Sequence, residues 1–111
     1  MPYPDFIKAF PGIDVPLPED VVQTAAVRSD AGLVAFFTFL KDIKLPTHAH
    51  GAQWGTIVEG EIELTIGGET RRYVAGDSYF IPAGVEHSAS IKAGTRAIDV
   101  FAEADRYALR G

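Results

Sequence analysis

Short apolar or alternating segments separated by turns fill the chain between residues 33 and 102. Residues 61–66 alternate strictly between polar and apolar side chains, the pattern of a strand with one wet and one buried face. Gly67 and Gly68 follow, and residues 69–74 form the next segment, which predicts a β-hairpin with a two-residue turn. Further turns are predicted at residues 75–77, 82–84 and 93–94. Turns at such short intervals, with no long helical pattern between them, predict an all-β sandwich or barrel.

The segment before this region is different, because five of the seven prolines lie at positions 2, 4, 11, 16 and 18. Proline cannot donate to a central ladder, so residues 1–32 are predicted to form an extended arm and edge strands. Residues 33–40 are almost wholly apolar and predict a strand that is either buried on both faces or part of a closed barrel. Residues 103–111 are predicted to form a short helical turn. A chain of 111 residues fits one small domain, which we place at residues 1–111 with the barrel at about 33–103.

Composition excludes several functions. The chain has no cysteine, which rules out disulfide scaffolds, thiolate metal sites and cysteine nucleophiles. The net charge is -5 and the ten Lys and Arg residues are scattered, so no nucleic acid is expected as a partner. No secretory signal or membrane-length apolar segment is visible, and we therefore expect a cytoplasmic protein without membrane contact.

Three histidines are the strongest candidates for chemistry. His48 and His50 form a His-x-His pair, and on a strand residues two apart point to the same face. Two neighbouring imidazoles suit a metal ion better than an apolar core, because each ring has two nitrogens that need partners. His87 follows a Pro-Ala-Gly turn, from which a neighbouring strand could bring it to the same point. Taken alone, the pair leaves ordinary surface or core histidines open as the alternative.

The spacing around these histidines resembles the two motifs of the cupin family, Gly-x5-His-x-His-x3,4-Glu-x6-Gly and Gly-x5-Pro-x-Gly-x2-His-x3-Asn. The matching positions are His48, His50 and Gly60 in the first motif and Gly76, Pro82, Gly84 and His87 in the second. The resemblance covers roughly residues 33–102. It implies an all-β fold, the cupin double-stranded β-helix or jelly-roll barrel, with all three histidines at metal-ligand positions.

The chain departs from these motifs at three positions. Asp42 replaces the leading glycine and Ile91 the final asparagine, and neither change threatens the fold. Gln53 replaces the usual glutamate ligand, in a loop one residue shorter. Gln53 is either a fourth ligand through its carbonyl oxygen, a hydrogen-bonding partner of bound water or substrate beside a three-histidine face, or a solvated loop residue. We favour the first, which gives the metal set His48, His50, Gln53 and His87.

Strand alternation gives expectations for the neighbouring residues. It places Gln53 on one face with Gly55 and Ile57, and Trp54 on the other face, either covering the sheet or in a subunit interface. Asp99 lies in the last apolar segment as a candidate general base or partner of a histidine, although we favour an outward-facing or arginine-paired position. Arg71 and Arg72 are candidates for binding an anion, but a solvated hairpin is the simpler interpretation.

The resemblance implies a divalent transition metal, and imidazole accepts Fe, Mn, Ni, Zn and Cu alike. Our main hypothesis is a metal-dependent enzyme of the oxygenase or isomerase type that acts on a small organic molecule. The alternative is a non-catalytic module that binds or senses a sugar-like small molecule, because the fold does not fix the chemistry. We also expect a homodimer, with the N-terminal arm pairing with the neighbouring subunit.

Overall fold

The computed structural model of the protein describes residues 2–110. Met1 and Gly111, the two ends of the predicted domain, lie outside the described residues. In chain order the elements are α1 (Asp5–Lys8), β1 (Val22–Ser29), β2 (Gly32–Phe39), β3 (Ile43–His48), β4 (Gln53–Glu59), β5 (Glu61–Ile66), β6 (Glu69–Val74), β7 (Ser78–Ile81), β8 (His87–Ile91) and β9 (Arg96–Phe101).

The strands form two antiparallel sheets, so the all-β prediction is confirmed. One sheet has five strands in the order β1-β2-β9-β4-β7, and the other has four in the order β3-β8-β5-β6. The core lies between them and includes side chains from both sheets: Leu33, Ile57, Ile81 and Phe101 from the first, and Ile62, Leu64 and Ile91 from the second. The predicted hairpin joins β5 to β6, and Gly67 and Gly68 both have positive φ, as its two-residue turn requires.

The N-terminal segment packs against its own chain. Tyr3 donates its hydroxyl to the carbonyl oxygens of Phe37 and Ala97, each at 3.0 Å. The Tyr3 ring also meets Phe36 edge-on on the outer face of β2. This contact covers Phe36 on the outward face of β2. Only the inward face of β2 is fully buried, so of the two predictions for this strand burial on both faces is wrong.

The two chain ends are joined by a short bridge. Ile13, which is fully buried, pairs with Leu109. The tail, predicted as a short helical turn, has one turn closed by the Arg106 amide donating to the Glu103 carbonyl, and no helix is assigned between residues 103 and 110. The tail therefore returns along the N-terminal segment at one end of the double sheet.

The outward faces of the two sheets differ sharply. The four-stranded sheet carries a polar row in register across its strands: Lys44, Ser90, Glu63 and Arg72. The five-stranded sheet carries an apolar row in register across all five strands: Val27, Val34, Val100, Trp54 and Phe80. We call the second set the apolar row. Trp54 points outward, as strand alternation predicted.

The helix α1 has only four residues. Within residues 2–110, no helix has the length and apolar character needed to cross a membrane.

Candidate metal centre

His48 reaches the interior because β3 contains a bulge. The β3–β8 ladder is regular from Ile43 to Leu45, then shifts register between Leu45 and His48, which pairs with His87. Leu45 and His48 are three residues apart and would face opposite sides of a regular strand, yet both line the same cavity. The extra residue turns His48 inward, a common use of bulges at functional sites. Sequence reasoning did not predict β3 as a strand.

His50 lies just beyond β3, in a loop that several other segments hold in place. Its carbonyl accepts a 2.9 Å hydrogen bond from the Gly84 amide, next to the turn that precedes His87. The Gly51 amide donates to Glu103 Oε1 at 2.7 Å, and the Ala102 amide donates to the Ala52 carbonyl at 2.9 Å. The chain after β9 therefore fixes the loop that carries His50. Glu103 was not a sequence candidate, because no motif marks this long-range contact.

The three histidines converge as predicted. The nitrogens that they offer as ligands lie within 4.8 Å of one another, and the closest ring centroids, those of His48 and His87, are 4.2 Å apart. Each Nδ1 lies 2.8–3.0 Å from a backbone carbonyl oxygen: that of Pro46 for His48, Gly51 for His50 and Val85 for His87.

These contacts fix the tautomer of each ring. A carbonyl oxygen only accepts hydrogen bonds, so each Nδ1 carries a proton and Nε2 is the nitrogen of each ring that can bind a metal. Burial lowers the pKa of His50 and His87, and nearby positive charges including Arg106 lower it further. Both rings are therefore held in the neutral form that binds a metal. Three imidazoles oriented in this way fit a divalent transition metal and leave room for further ligands.

Gln53 lines the same cavity, on the inward face of β4 with Gly55 and Ile57, as alternation predicted. Its amide nitrogen donates to Asp99 Oδ1 at 2.9 Å. Asp99 is buried on β9 and faces inward, so the favoured expectation of an outward-facing or arginine-paired carboxylate is wrong. The Tyr79 hydroxyl donates to the same oxygen. Two hydrogen bonds thus compensate for the missing cation.

Gly55 makes room for this hydrogen-bonded group. A Cβ at position 55 would lie 2.3 Å from Asp99 Oδ1 and 2.4 Å from the Tyr79 ring, far closer than packed atoms approach. Burial raises the pKa of Asp99 to about 6, although both hydrogen bonds lower it. Burial also raises the pKa of Tyr79, so its hydroxyl stays protonated as the donor.

The histidines open onto a cavity of about 330 Å³ between the two sheets, a size that suits a small organic molecule. Its wall is mostly apolar and includes Phe37, Phe39, Leu64, Ile91 and Phe101. Arg106 and Tyr107 from the tail also line it, and sequence reasoning missed both because the tail carries no recognisable motif. The two arginines considered from the sequence lie outside it: Arg71 pairs with Glu69, and Arg72 pairs with Glu61.

Comparison with known proteins agrees with this architecture. The family model described as the cupin domain matches residues 36–101, more than half of the chain. The chain belongs to the cupin family. An RmlC-like cupin from Shewanella frigidimarina superposes with a TM-score of 0.74, at 26% identity over 86% of each chain. The double-sheet fold is therefore the cupin jelly-roll barrel.

Two further relatives of this cupin are larger proteins. Oxalate decarboxylase from Bacillus subtilis, which has Mn(II) centres, shares the fold with a TM-score of 0.64 at 20% identity, over 73% of this chain and 25% of the decarboxylase. The HTH-type transcriptional regulator PuuR of Escherichia coli (strain K12) is 52% identical over 40 residues, or 36% of this chain. The chain spans 22% of the length of PuuR.

Proposed function

We propose that this cupin binds one divalent transition metal through His48, His50 and His87, with Gln53 as fourth ligand, and acts as a metal-dependent enzyme on a small organic molecule. The observation that carries the proposal is the convergence of three imidazoles whose Nδ1 atoms are each hydrogen-bonded to a backbone carbonyl. Metal-ligating histidines characteristically have their second nitrogen fixed in this way.

The ligand set has consequences for the metal. Histidine and glutamine are neutral donors, so a bound ion would keep its full charge and be a stronger Lewis acid than one with a carboxylate ligand. A metal in this position supplies Lewis-acid or redox chemistry, of the oxygenase or isomerase type. The protein's own residues supply the rest: the apolar wall excludes water, and Asp99, hydrogen-bonded by Tyr79 and Gln53, offers a carboxyl group that can exchange a proton.

Elemental analysis tests the metal site. Untagged protein, purified without chelator or a metal column, is expected to hold about one equivalent of a transition metal per chain. His87→Ala is expected to lose it, because this removes one of three convergent nitrogens. Lys44→Ala, on the outer face of the same sheet, is the matched control. Wild-type protein that contains no metal and takes up none on titration would overturn the proposal.

A second candidate function is a non-catalytic binding or sensor module, favoured by the 52% identity with part of the regulator PuuR. The mostly apolar cavity wall counts against a sugar-like ligand, which would need more hydrogen-bonding groups. The two functions differ in the fate of the ligand. Metal-loaded enzyme would convert its small molecule and lose turnover in His87→Ala, whereas a sensor would release the molecule unchanged.

We also propose that the protein is a homodimer formed through the apolar row. Four of its five side chains are well exposed: 43% for Trp54, 58% for Phe80, 45% for Val27 and 37% for Val100. These side chains expose roughly 350 Å², nearly half of the ~800 Å² that each partner buries in a standard interface. The polar row on the opposite sheet offers no comparable surface.

The order of side chains in the apolar row favours a second copy as the partner. Trp54 and Phe80 lie at one end, Val27 and Val34 at the other, and Val100 at the centre. Suppose that the five-stranded sheets of two copies face each other across a two-fold axis that runs parallel to the strands. That axis would reverse the order of the row in the facing copy. The large aromatic end of each copy would then meet the small valine end of the other, which is the self-complementarity that a two-fold interface needs.

A further inference from the structure

Arg106 places a positive charge in the wall of the metal-site cavity. It lies in the tail after β9, and the cavity is lined by Arg106 together with all three histidines. Its guanidinium carbon lies 4.4 Å from the centroid of the Tyr107 ring. That ring in turn meets Phe101 edge-on at 5.7 Å. The stack holds the guanidinium against the aromatic side of the cavity.

Within residues 2–110, no carboxylate lies within ion-pair distance of Arg106, and its buried Nε has no hydrogen-bond acceptor. Of the other five arginines, Arg28 is exposed to solvent and four form ion pairs: Arg71 with Glu69, Arg72 with Glu61, Arg96 with Glu59, and Arg110 with Asp14 and Glu19. The buried Nε of Arg96 also lacks an acceptor, but that guanidinium is paired through its Nη1. A buried donor without an acceptor is costly, and it indicates a partner that the chain itself does not supply.

The charges around the cavity also favour an anion. Among residues 2–110, Asp99 is the only carboxylate in the cavity lining, and the Tyr79 hydroxyl and the Gln53 amide both donate to it. The three histidines contribute no negative charge. A divalent metal would add to the positive charge of Arg106, so a ligand with one carboxylate would reduce the charge imbalance.

We propose that Arg106 is the anion-binding residue of this cavity, and that the cavity takes a small monocarboxylate with an apolar body. The carboxylate would accept hydrogen bonds from the guanidinium, which suits this group in geometry and charge. The apolar body would pack against the aromatic wall, in a cavity of about 330 Å³. This assignment rests on the proposed function in that it takes the cavity as the functional site.

Benzoate and benzamide are the probes, because they have nearly the same shape and differ in charge. Each is titrated into metal-free and metal-loaded protein by isothermal calorimetry. Wild-type protein is expected to bind benzoate at least about tenfold more tightly than benzamide in both forms. Arg106→Gln is expected to bring the ratio close to one while benzamide affinity stays unchanged, and Arg106→Lys is expected to retain part of the preference.

Arg110→Gln is the matched control, since Arg110 lies in the same tail but pairs with Asp14 and Glu19. It should keep the wild-type ratio, and circular dichroism should show that each variant is folded. Equal binding of the two probes by wild type, binding of neither, or an unchanged ratio in Arg106→Gln would overturn the proposal.

Metal content of the same samples separates this outcome from the proposed metal site. A benzoate preference in metal-free protein that takes up no metal would retain the role of Arg106 and overturn the metal proposal. Metal uptake with no benzoate preference would retain the metal proposal and overturn the role of Arg106.

Discussion

Asp99 is a buried carboxylate with one oxygen, Oδ1, that accepts hydrogen bonds from both the Tyr79 hydroxyl and the Gln53 amide. Both neighbours act as donors, so the arrangement fits the ionised form, whereas burial favours the neutral one. Burial is the larger effect and raises the pKa of Asp99 from 3.8 to about 6. The side chain therefore changes charge close to neutral pH, inside the cavity.

The raised pKa predicts a pH-dependent cost in stability. The folded protein binds this proton more tightly than the unfolded chain does. The contribution of Asp99 to the free energy of unfolding is therefore fully present below about pH 4 and is lost as pH rises through about 6. Between pH 4 and pH 8 the loss is about 2 kcal/mol. Asp99→Asn removes the titrating group and with it this pH-dependent loss. From pH 4 to pH 8, the free energy of unfolding of the variant is therefore expected to rise by that amount relative to wild type.

Urea unfolding of metal-free protein at several pH values measures this difference. Asp105→Asn, at an exposed position in the tail, controls for the loss of one carboxylate. If the free energy of unfolding changed with pH in the same way for wild type and Asp99→Asn, the result would contradict the prediction.

The role of Gln53 needs a double substitution. Gln53→Glu alone would set a second carboxylate against Asp99, and repulsion between them would mask any effect on the metal. Gln53→Glu combined with Asp99→Asn exchanges the two groups and keeps a hydrogen bond between them. If position 53 is a ligand, this variant should bind Zn²⁺ at least about tenfold more tightly, because a carboxylate replaces a neutral oxygen.

Competition with a chromophoric chelator measures the Zn²⁺ affinity, and Asp99→Asn alone is the control. An affinity equal to that of the control would remove Gln53 from the ligand set and leave a three-histidine site.

At the residue scale, sequence predicted the histidines well and their surroundings poorly. His48, His50 and His87 carry motif spacing and a side chain with few other uses, so their convergence could be expected. Arg106 and Glu103 reach the site only because the tail folds back after β9, a long-range contact that leaves no local pattern. The orientation of Asp99 was missed because its stabilising partners, Tyr79 and Gln53, come from another strand pair.

At the element scale, strands with strict alternation were predicted best. The hairpin of β5 and β6 has the predicted bounds because two glycines end one alternating segment and begin the next. β3 was missed because its apolar-polar alternation is short, covers only Ile43 to Leu45 and ends at Pro46 and Thr47. Its bulge could not be read from the sequence either, since it depends on pairing with β8.

Close packing of β4 against its neighbours gives a prediction for Gly55. A methyl group there would overlap both Asp99 Oδ1 and the Tyr79 ring, and both belong to strands that pair directly with β4. Gly55→Ala is therefore expected to lower the free energy of unfolding by about 1–3 kcal/mol. Thermal unfolding of metal-free protein measures the change.

Ser78→Ala is the control, because Ser78 lies exposed on β7 and small surface changes usually stay within about 0.5 kcal/mol. A Gly55→Ala variant as stable as the control would contradict the prediction. It would mean that β7 and β9 move away from β4 at little cost in free energy.

At the scale of the whole molecule, the two outer faces set how copies of the chain can meet. The N-terminal segment covers the outer face of the five-stranded sheet around Phe36 and leaves four of the five side chains of the apolar row exposed. The opposite sheet presents lysine, serine, glutamate and arginine at the equivalent positions. Neither the partial cover of the five-stranded sheet nor the difference between the two outer faces could be predicted from the sequence, because both depend on strand order and register across the sheets.

The proposed dimer predicts that one charge at the centre of the apolar row separates the copies. Val100 lies in the middle of the row, close to the proposed two-fold axis, so Val100→Asp would bring two like charges together in an apolar interface. Light scattering after size exclusion should give the dimer mass for wild type and the monomer mass for this variant. Ser90→Asp, at the centre of the opposite sheet, should stay dimeric. A dimer that survives Val100→Asp, or a wild type that is monomeric at micromolar concentration, would contradict an interface on this face.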